Sequence, residues 1–80
     1  MILHITDVEY LHHYQLKLAF NDGVTGIVDL SNELWGEMFE PLKDIQLFSQ
    51  VKLDKELDTI VWANGADLAP EFLRNLIQPA

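Results

Sequence analysis

The clearest pattern in the chain is the strict alternation of apolar and polar side chains over residues 14–20, YQLKLAF. A period of two is typical of a β-strand that buries one face and exposes the other to water. Asn21-Asp22-Gly23 follows and predicts a turn. Residues 24–30 then return as the partner strand of a hairpin. The buried face of the first of these two strands is predicted to consist of Tyr14, Leu16, Leu18 and Phe20.

Three further segments have strand character: residues 2–10, 51–54 and 59–63. In the first of them neither face is cleanly apolar, because Val8 shares a side with Thr6 while Ile5 shares the other with Asp7. Within residues 24–30, Gly26 predicts a bulge or the close approach of another group.

Residues 31–50 have apolar side chains three or four positions apart, which predicts helical structure. We expect two short pieces, with Ser31 capping the first and Asp44 the second. Gly36 and Pro41 are expected to interrupt the first piece.

The stretch TIVWANGADLAPEFLRNL, residues 59–76, combines a strand, a sharp turn and a helix. Asn64 and Gly65 both accept positive φ readily, so the chain is predicted to reverse there. Pro70 and Glu71 suit the first turn of a helix. The apolar stripe of that helix is Phe72, Leu73, Leu76 and Ile77. The residues predicted to form the turn and start the helix are Trp62, Asn64, Gly65, Asp67, Pro70 and Glu71.

The predicted fold is a two-layer α+β domain of order β-β-β-(short helices)-β-β-α, with a mainly antiparallel sheet and the terminal helix packed on it. Its 80 residues are expected to form one domain, residues 1–80, with a small core. Apolar residues make up 49% of the chain, which is ordinary for a folded domain. The chain has no cysteine, no basic leader and no membrane-length apolar run, so we expect a cytoplasmic protein away from the membrane.

Several motifs together resemble the bacterial domain-of-unknown-function family 2442. They are L-x-L-x-F-x-D-G at residues 16–23, G-x-V-D-L at 26–30 and W-x-N-G-x-D-x-x-P-E at 62–71. The resemblance implies a compact two-layer α+β domain of bacterial or archaeal origin, and no established activity. Some members carry an added helix-turn-helix domain, and many look like gene neighbours of a small basic, toxin-like protein. This chain ends at Ala80 without such an extension.

Thirteen acidic and five basic residues give a formal net charge of −8. Nucleic-acid binding requires several phosphates to be neutralised by basic side chains. The five basic residues are scattered along the chain, so we expect no direct nucleic-acid binding and favour a small basic protein as partner. An exposed sheet edge and a small core also make a homodimer a reasonable expectation.

Three histidines raise the question of a metal site. His12 and His13 are adjacent and would point to opposite sides of an extended backbone, so they are poorly placed to share one ion. His4 is expected to be a partly buried strand residue. We therefore predict no metal and no other cofactor.

Asp29, Asp67 and Glu71 are the candidates for general acid or base catalysis, as the acidic residues nearest the predicted Asn64-Gly65 turn. The structural alternative is that Asp67 accepts hydrogen bonds from the turn and that Glu71 complements the helix dipole. The chain has no nucleophile elbow and no phosphate loop. We therefore predict no catalytic residues.

Trp35 and Phe39 lie in the segment ELWGEMFEP, where acidic and large apolar residues are interleaved. Such a pattern suits a surface that attracts a basic protein and then buries aromatic anchors. The alternative is that both aromatic side chains belong to the core.

These features favour a small non-enzymatic interaction module, such as an antitoxin-like or accessory subunit that binds a basic protein. The two rival hypotheses are a transcription-related nucleic-acid regulator and a small enzyme that uses Asp29, Asp67 or Glu71.

Overall fold

The computed structural model describes residues 2–77 and has the predicted α+β architecture. Five strands form two antiparallel sheets, one of three strands in the order β1-β2-β3 and one of two strands, β4-β5. No helix within the described residues is long and apolar enough to cross a membrane. The elements are β1 (Ile5–His12), β2 (Gln15–Phe20), β3 (Thr25–Asp29), a 3₁₀ helix (Glu40–Lys43), α1 (Ile45–Phe48), β4 (Lys52–Asp54), β5 (Thr59–Val61) and α2 (Pro70–Leu76).

The central strand β2 follows the predicted alternation. Leu16, Leu18 and Phe20 are buried, whereas Lys17 between them is exposed. Tyr14, just before the strand, is half-buried and donates its hydroxyl hydrogen to the Lys43 carbonyl. The sequence period therefore identifies the core face of the larger sheet correctly.

The alternation of buried and exposed side chains along strand β1 is inverted at a break in its pairing with β2. The register shifts between Ile5 and Asp7, so that Ile5 is buried and Val8 also packs against the core. The prediction that Val8 shares a face with Thr6 was wrong, because the extra residue inverts the alternation beyond it. The strand both begins and ends later in the chain than the predicted residues 2–10.

Strand β3 runs straight through Gly26. Its register with β2 is uninterrupted, with Gly26 opposite Leu18, so the glycine does not mark a bulge. Val28 and Leu30 are buried, as the alternation predicts.

The smaller sheet adjoins β1. The Ile5 N–H donates to the Asp58 carbonyl at 3.0 Å, which connects the larger sheet to the β4–β5 turn. On its other side β5 continues into a single antiparallel bridge between Val61 and Asp67. The segment after the 62–66 turn is thus held along the second sheet.

The link between the sheets contains two short helical pieces, as predicted, but their boundaries differ. Pro41 lies in the first turn of the 3₁₀ helix and opens it instead of interrupting it. Ser31 lies in a turn and caps no helix. Asp44 caps α1 as predicted, with its Oδ1 accepting the Gln46 N–H at 3.0 Å.

The aromatic core is centred on Phe48, at the end of α1. Its fully buried ring lies 5.3 Å from Tyr14, 5.6 Å from Trp62 and 6.2 Å from Tyr10 between centroids. Its carbonyl accepts the Trp62 Nε1–H at 2.9 Å and the Val51 N–H at 3.3 Å. Phe48 therefore connects the larger sheet to the 62–66 turn.

The terminal helix α2 begins at Pro70 as predicted and contacts β3. Leu73 is fully buried, and Leu76 packs partly against the core. Phe72 is 38% exposed and lies outside the buried stripe. The Arg74 side chain extends from α2 to the β2–β3 turn, where its Nε is 3.1 Å from an Asp22 carboxylate oxygen.

The Trp62→Phe substitution should lower the free energy of unfolding by about 1–2 kcal/mol, because the Phe48 carbonyl loses its buried indole donor. Chemical denaturation followed by circular dichroism measures this change. Trp35→Phe is the control: its side chain is 72% exposed, and a change within about 0.5 kcal/mol is expected. Equal costs for the two variants would contradict the role given to Trp62.

Candidate functional site

The 62–66 turn has a three-residue loop geometry. The Trp62 N–H donates to the Ala66 carbonyl at 2.9 Å, and the Gly65 N–H donates to the Trp62 carbonyl at 3.0 Å. Gly65 has φ +90°, as the last position of such a loop requires. Asn64 does not take the positive φ that the sequence predicted for both residues. A single glycine at the third loop position suffices in this geometry.

Asn64 acts through its side chain. Its Oδ1 accepts the Ala66 N–H at 3.1 Å within the turn. Its Nδ2 donates to the Met38 carbonyl at 2.8 Å, 26 residues away in the chain. Asn64 therefore joins the turn to the segment that contains the exposed aromatic residue Trp35.

The β2–β3 turn repeats the same backbone design. The Phe20 N–H donates to the Val24 carbonyl, the Gly23 N–H donates to the Phe20 carbonyl, and Gly23 has φ +88°. Asp22 occupies the position equivalent to Asn64 and accepts the Val24 N–H at 3.1 Å. The two turns differ in the contact that this side chain makes outside the turn: Asp22 pairs with Arg74, whereas Asn64 donates to the Met38 carbonyl.

Residues 33–40 form what we call the acidic loop. Trp35 is 72% exposed and Met38 is 45% exposed. Phe39 is half-buried and packs edge-to-face on Trp62, with 6.4 Å between ring centroids. The two aromatic residues proposed from the sequence therefore differ: Phe39 contributes to the core and Trp35 faces solvent.

The sequence analysis did not identify Met38 as a candidate interface residue beside Trp35 and Phe39. Its carbonyl is held by Asn64, and its methyl carbon lies 3.5 Å from the position that a Cβ on Gly65 would occupy. The available signal was its place between Gly36 and Pro41, in a segment that interleaves acidic and large apolar residues.

The candidate catalytic carboxylates have separate surroundings. Glu71 is exposed in the first turn of α2, and Asp67 is exposed on the segment bridged to Val61. Within residues 2–77 no hydrogen bond to the Asp67 carboxylate is found, and Asn64 provides the acceptor in the turn instead. Asp29 binds the Ser31 N–H at 2.9 Å. No hydrogen bond among the described residues joins any two of the three carboxylates.

The Ser31 backbone N–H holds the pKa of the Asp29 carboxyl below its ordinary value. This bond contributes stability above the carboxyl's unfolded pKa and loses it as the pH falls through the lower, folded pKa. A general acid must carry a proton near neutral pH, so the shift is opposite to the one that a general-acid role for Asp29 would need.

The outer face of the larger sheet carries a shallow depression. It has a volume of about 80 Å³ and is lined by side chains that include Asp7, Glu9 and Lys17. Small-molecule sites are typically about 300–1,000 Å³. The depression is too small for such a ligand, and its lining includes none of the three candidate catalytic carboxylates.

His12 and His13 lie closer than the sequence suggested. Their rings are in edge-to-face contact with 5.3 Å between centroids, because His13 has φ +50° and the backbone is not extended there. Within residues 2–77, no group of three or more histidine or acidic side chains is placed to hold a metal ion. His4 is half-buried just before β1, and its N–H donates to the Asn21 side chain at 3.0 Å.

Gly65→Val should lower the free energy of unfolding by about 1–3 kcal/mol, because a β-branched residue is strained at positive φ. Gly23→Val should cost a similar amount, since its φ is nearly the same and no atom lies within 4 Å of the position that its Cβ would occupy. Ala63→Val, in the same turn without positive φ, is the control and should cost less. Urea denaturation measures the free energy of unfolding of the three variants. The smallest loss for Gly65→Val would contradict this account.

Asn64→Asp should loosen the acidic loop while keeping the turn. The carboxylate still accepts the Ala66 N–H but places an oxygen against the Met38 carbonyl, so about 1 kcal/mol of loop stability is expected to be lost. Cleavage after Glu37 by a glutamate-specific protease should become several-fold faster, whereas the bond after Glu40 resists such a protease because Pro41 follows. Asn75→Asp adds the same charge at an exposed position on α2 and should leave the cleavage rate unchanged. Equal rates in all three proteins would show that Asn64 does not brace the loop.

The comparisons with known proteins agree with the sequence motifs. Residues 5–79 match a family described as Protein of unknown function (DUF2442), which covers both glycine turns and the acidic loop. No curated protein and no solved structure matches the chain. The match spans almost the full length, and the chain belongs to the DUF2442 family.

Proposed function

We propose that this protein is a non-enzymatic interaction module of the cytoplasm, an antitoxin-like or accessory subunit that binds a small basic protein. The observation that carries the proposal is the unbalanced charge of its surface. The chain has thirteen acidic side chains and only five basic ones. Within residues 2–77 the ion pair found joins Asp22 and Arg74. A cationic partner would supply the missing counter-charges and would be attracted over long distances.

The aspartates and glutamates have different local roles. Five aspartate carboxylates accept backbone N–H groups at turns, at the start of α1 or next to the register shift in β1, which is a structural role. These residues are Asp7, Asp22, Asp29, Asp44 and Asp54. Glutamates such as Glu37, Glu40 and Glu71 are exposed, so their charge is available to a partner.

The distribution of basic side chains favours a protein partner over nucleic acid. Lys17 is on the outer face of the larger sheet, Lys43 ends the 3₁₀ helix and Arg74 is engaged by Asp22. Each basic side chain has acidic neighbours in the chain or across the sheet, as Lys17 has Glu9. Such an arrangement offers no continuous basic strip to a phosphate backbone.

Affinity purification of the tagged protein from its native host tests the proposal. The expected result is one small basic protein in stoichiometric amount, which is released as the salt concentration rises from about 0.1 to about 0.5 M because the attraction is electrostatic. Lys17→Gln should retain that protein unchanged, since it removes a cation and no carboxylate. Co-purification of nucleic acid that is weakened by Lys17→Gln, or the absence of any basic protein, would contradict the proposal.

A further inference from the structure

We propose that the acidic loop, together with the 62–66 turn, is the docking surface, and that it receives an arginine-bearing segment of the basic partner, with the guanidinium stacked on Trp35. This inference rests on the proposed function for the nature of the partner. It goes further by assigning the surface and the group that binds there.

The exposure of Trp35 results from a fixed loop. Leu34 on one side is 2% exposed, and Phe39 on the other packs on Trp62. Between them, Gly36 has φ +88°, and its carbonyl accepts the N–H groups of Phe39 and Glu40 at 3.2 and 2.9 Å. With both ends anchored in the core, the loop backbone around Trp35 loses little further conformational entropy on binding.

The 62–66 turn contacts the acidic loop at Met38 and so forms part of the same surface. Asn64 holds the Met38 carbonyl, and the methyl carbon of Met38 lies over Gly65. Methionine adapts its shape to an incoming apolar group. The surface thus combines one exposed aromatic residue on an anchored backbone with one adaptable apolar residue.

The charges of the loop select a cation. Glu33, Glu37 and Glu40 all lie within five residues of Trp35, and the loop itself contains no basic residue. A guanidinium group can stack its plane on an indole and donate hydrogen bonds to carboxylates at the same time. An ammonium group lacks the flat face, so arginine fits this surface better than lysine.

A second copy of the chain is the less suitable occupant. Each copy carries a net charge of −8, and two acidic loops would repel each other.

Leu57 offers a comparison, since it is 55% exposed between Glu56 and Asp58 but lies in the β4–β5 turn. It resembles Trp35 in exposure and in flanking charge but lacks the aromatic face.

Nuclear magnetic resonance can follow the two tryptophans separately, because the Trp35 side chain is exposed whereas the indole N–H of Trp62 is bound to the Phe48 carbonyl. The probe is an acetylated, amidated hexapeptide of alternating arginine and leucine, with a lysine–leucine peptide as its counterpart. At low salt the arginine peptide should shift the Trp35 indole signal and leave the Trp62 signal in place. The lysine peptide should bind at least about threefold more weakly.

Trp35→Leu should weaken binding of the arginine peptide at least about threefold, whereas Leu57→Ala should leave the affinity unchanged. Because Trp35→Leu removes the indole signal, binding to both variants is measured from the amide signals of residues 33–40. The Trp62 signal reports that each variant is folded. Equal affinity for both peptides, peptide shifts confined to the outer sheet face around Asp7 and Glu9, or no shift at Trp35 would overturn the proposal. A Trp35 signal that moves with protein concentration alone would identify a second copy as the occupant and would also overturn it.

The same variants separate this inference from the proposed function. If the native basic protein co-purifies with Leu57→Ala but is lost with Trp35→Leu, both are supported. If it is retained by Trp35→Leu, the docking surface is wrong and the proposed function stands. If the unsubstituted protein retains no basic protein, the proposed function fails whatever the peptide does.

Discussion

The contact between Phe48 and Trp62 is the interaction on which the remaining structure depends. The two rings pack against each other, and the indole N–H donates to the Phe48 carbonyl. Because Phe48 also touches Tyr10 and Tyr14, this contact joins the helical link, the larger sheet and the 62–66 turn. In an 80-residue domain, which buries only about three-fifths of its unfolded surface, one such junction carries a large share of the core.

The position of the acidic loop follows from that junction. Phe39 also packs on Trp62, and Asn64, two residues after Trp62, donates to the Met38 carbonyl. The loop that carries the exposed Trp35 is therefore attached to the aromatic core around Trp62. An anchored backbone beneath an exposed aromatic side chain lowers the entropic cost of binding, which is the physical reason for proposing this loop as a binding surface.

The two glycine turns show how one backbone geometry serves two purposes. Each ends with glycine at positive φ, and each uses the preceding side chain to accept a backbone N–H. The carboxylate of Asp22 can only accept, so it pairs with Arg74 of α2 and fastens the helix to the hairpin. The amide of Asn64 can also donate, so it binds the Met38 carbonyl. The chemical difference between a carboxylate and an amide decides which segment each turn secures.

The sequence alone determined the features that depend on neighbours a few residues away: the alternation of β2, the turn at Gly23, the cap at Asp44 and the start of α2 at Pro70. Local φ/ψ preference and side-chain period are sufficient for these. Only the tertiary structure decided the face of Val8, which depends on a bulge in pairing with another strand. It also decided which of Trp35 and Phe39 is buried, and that Asn64 reaches Met38 across 26 residues. Burial and long-range hydrogen bonds depend on which segments meet in space, and no local pattern contains that information.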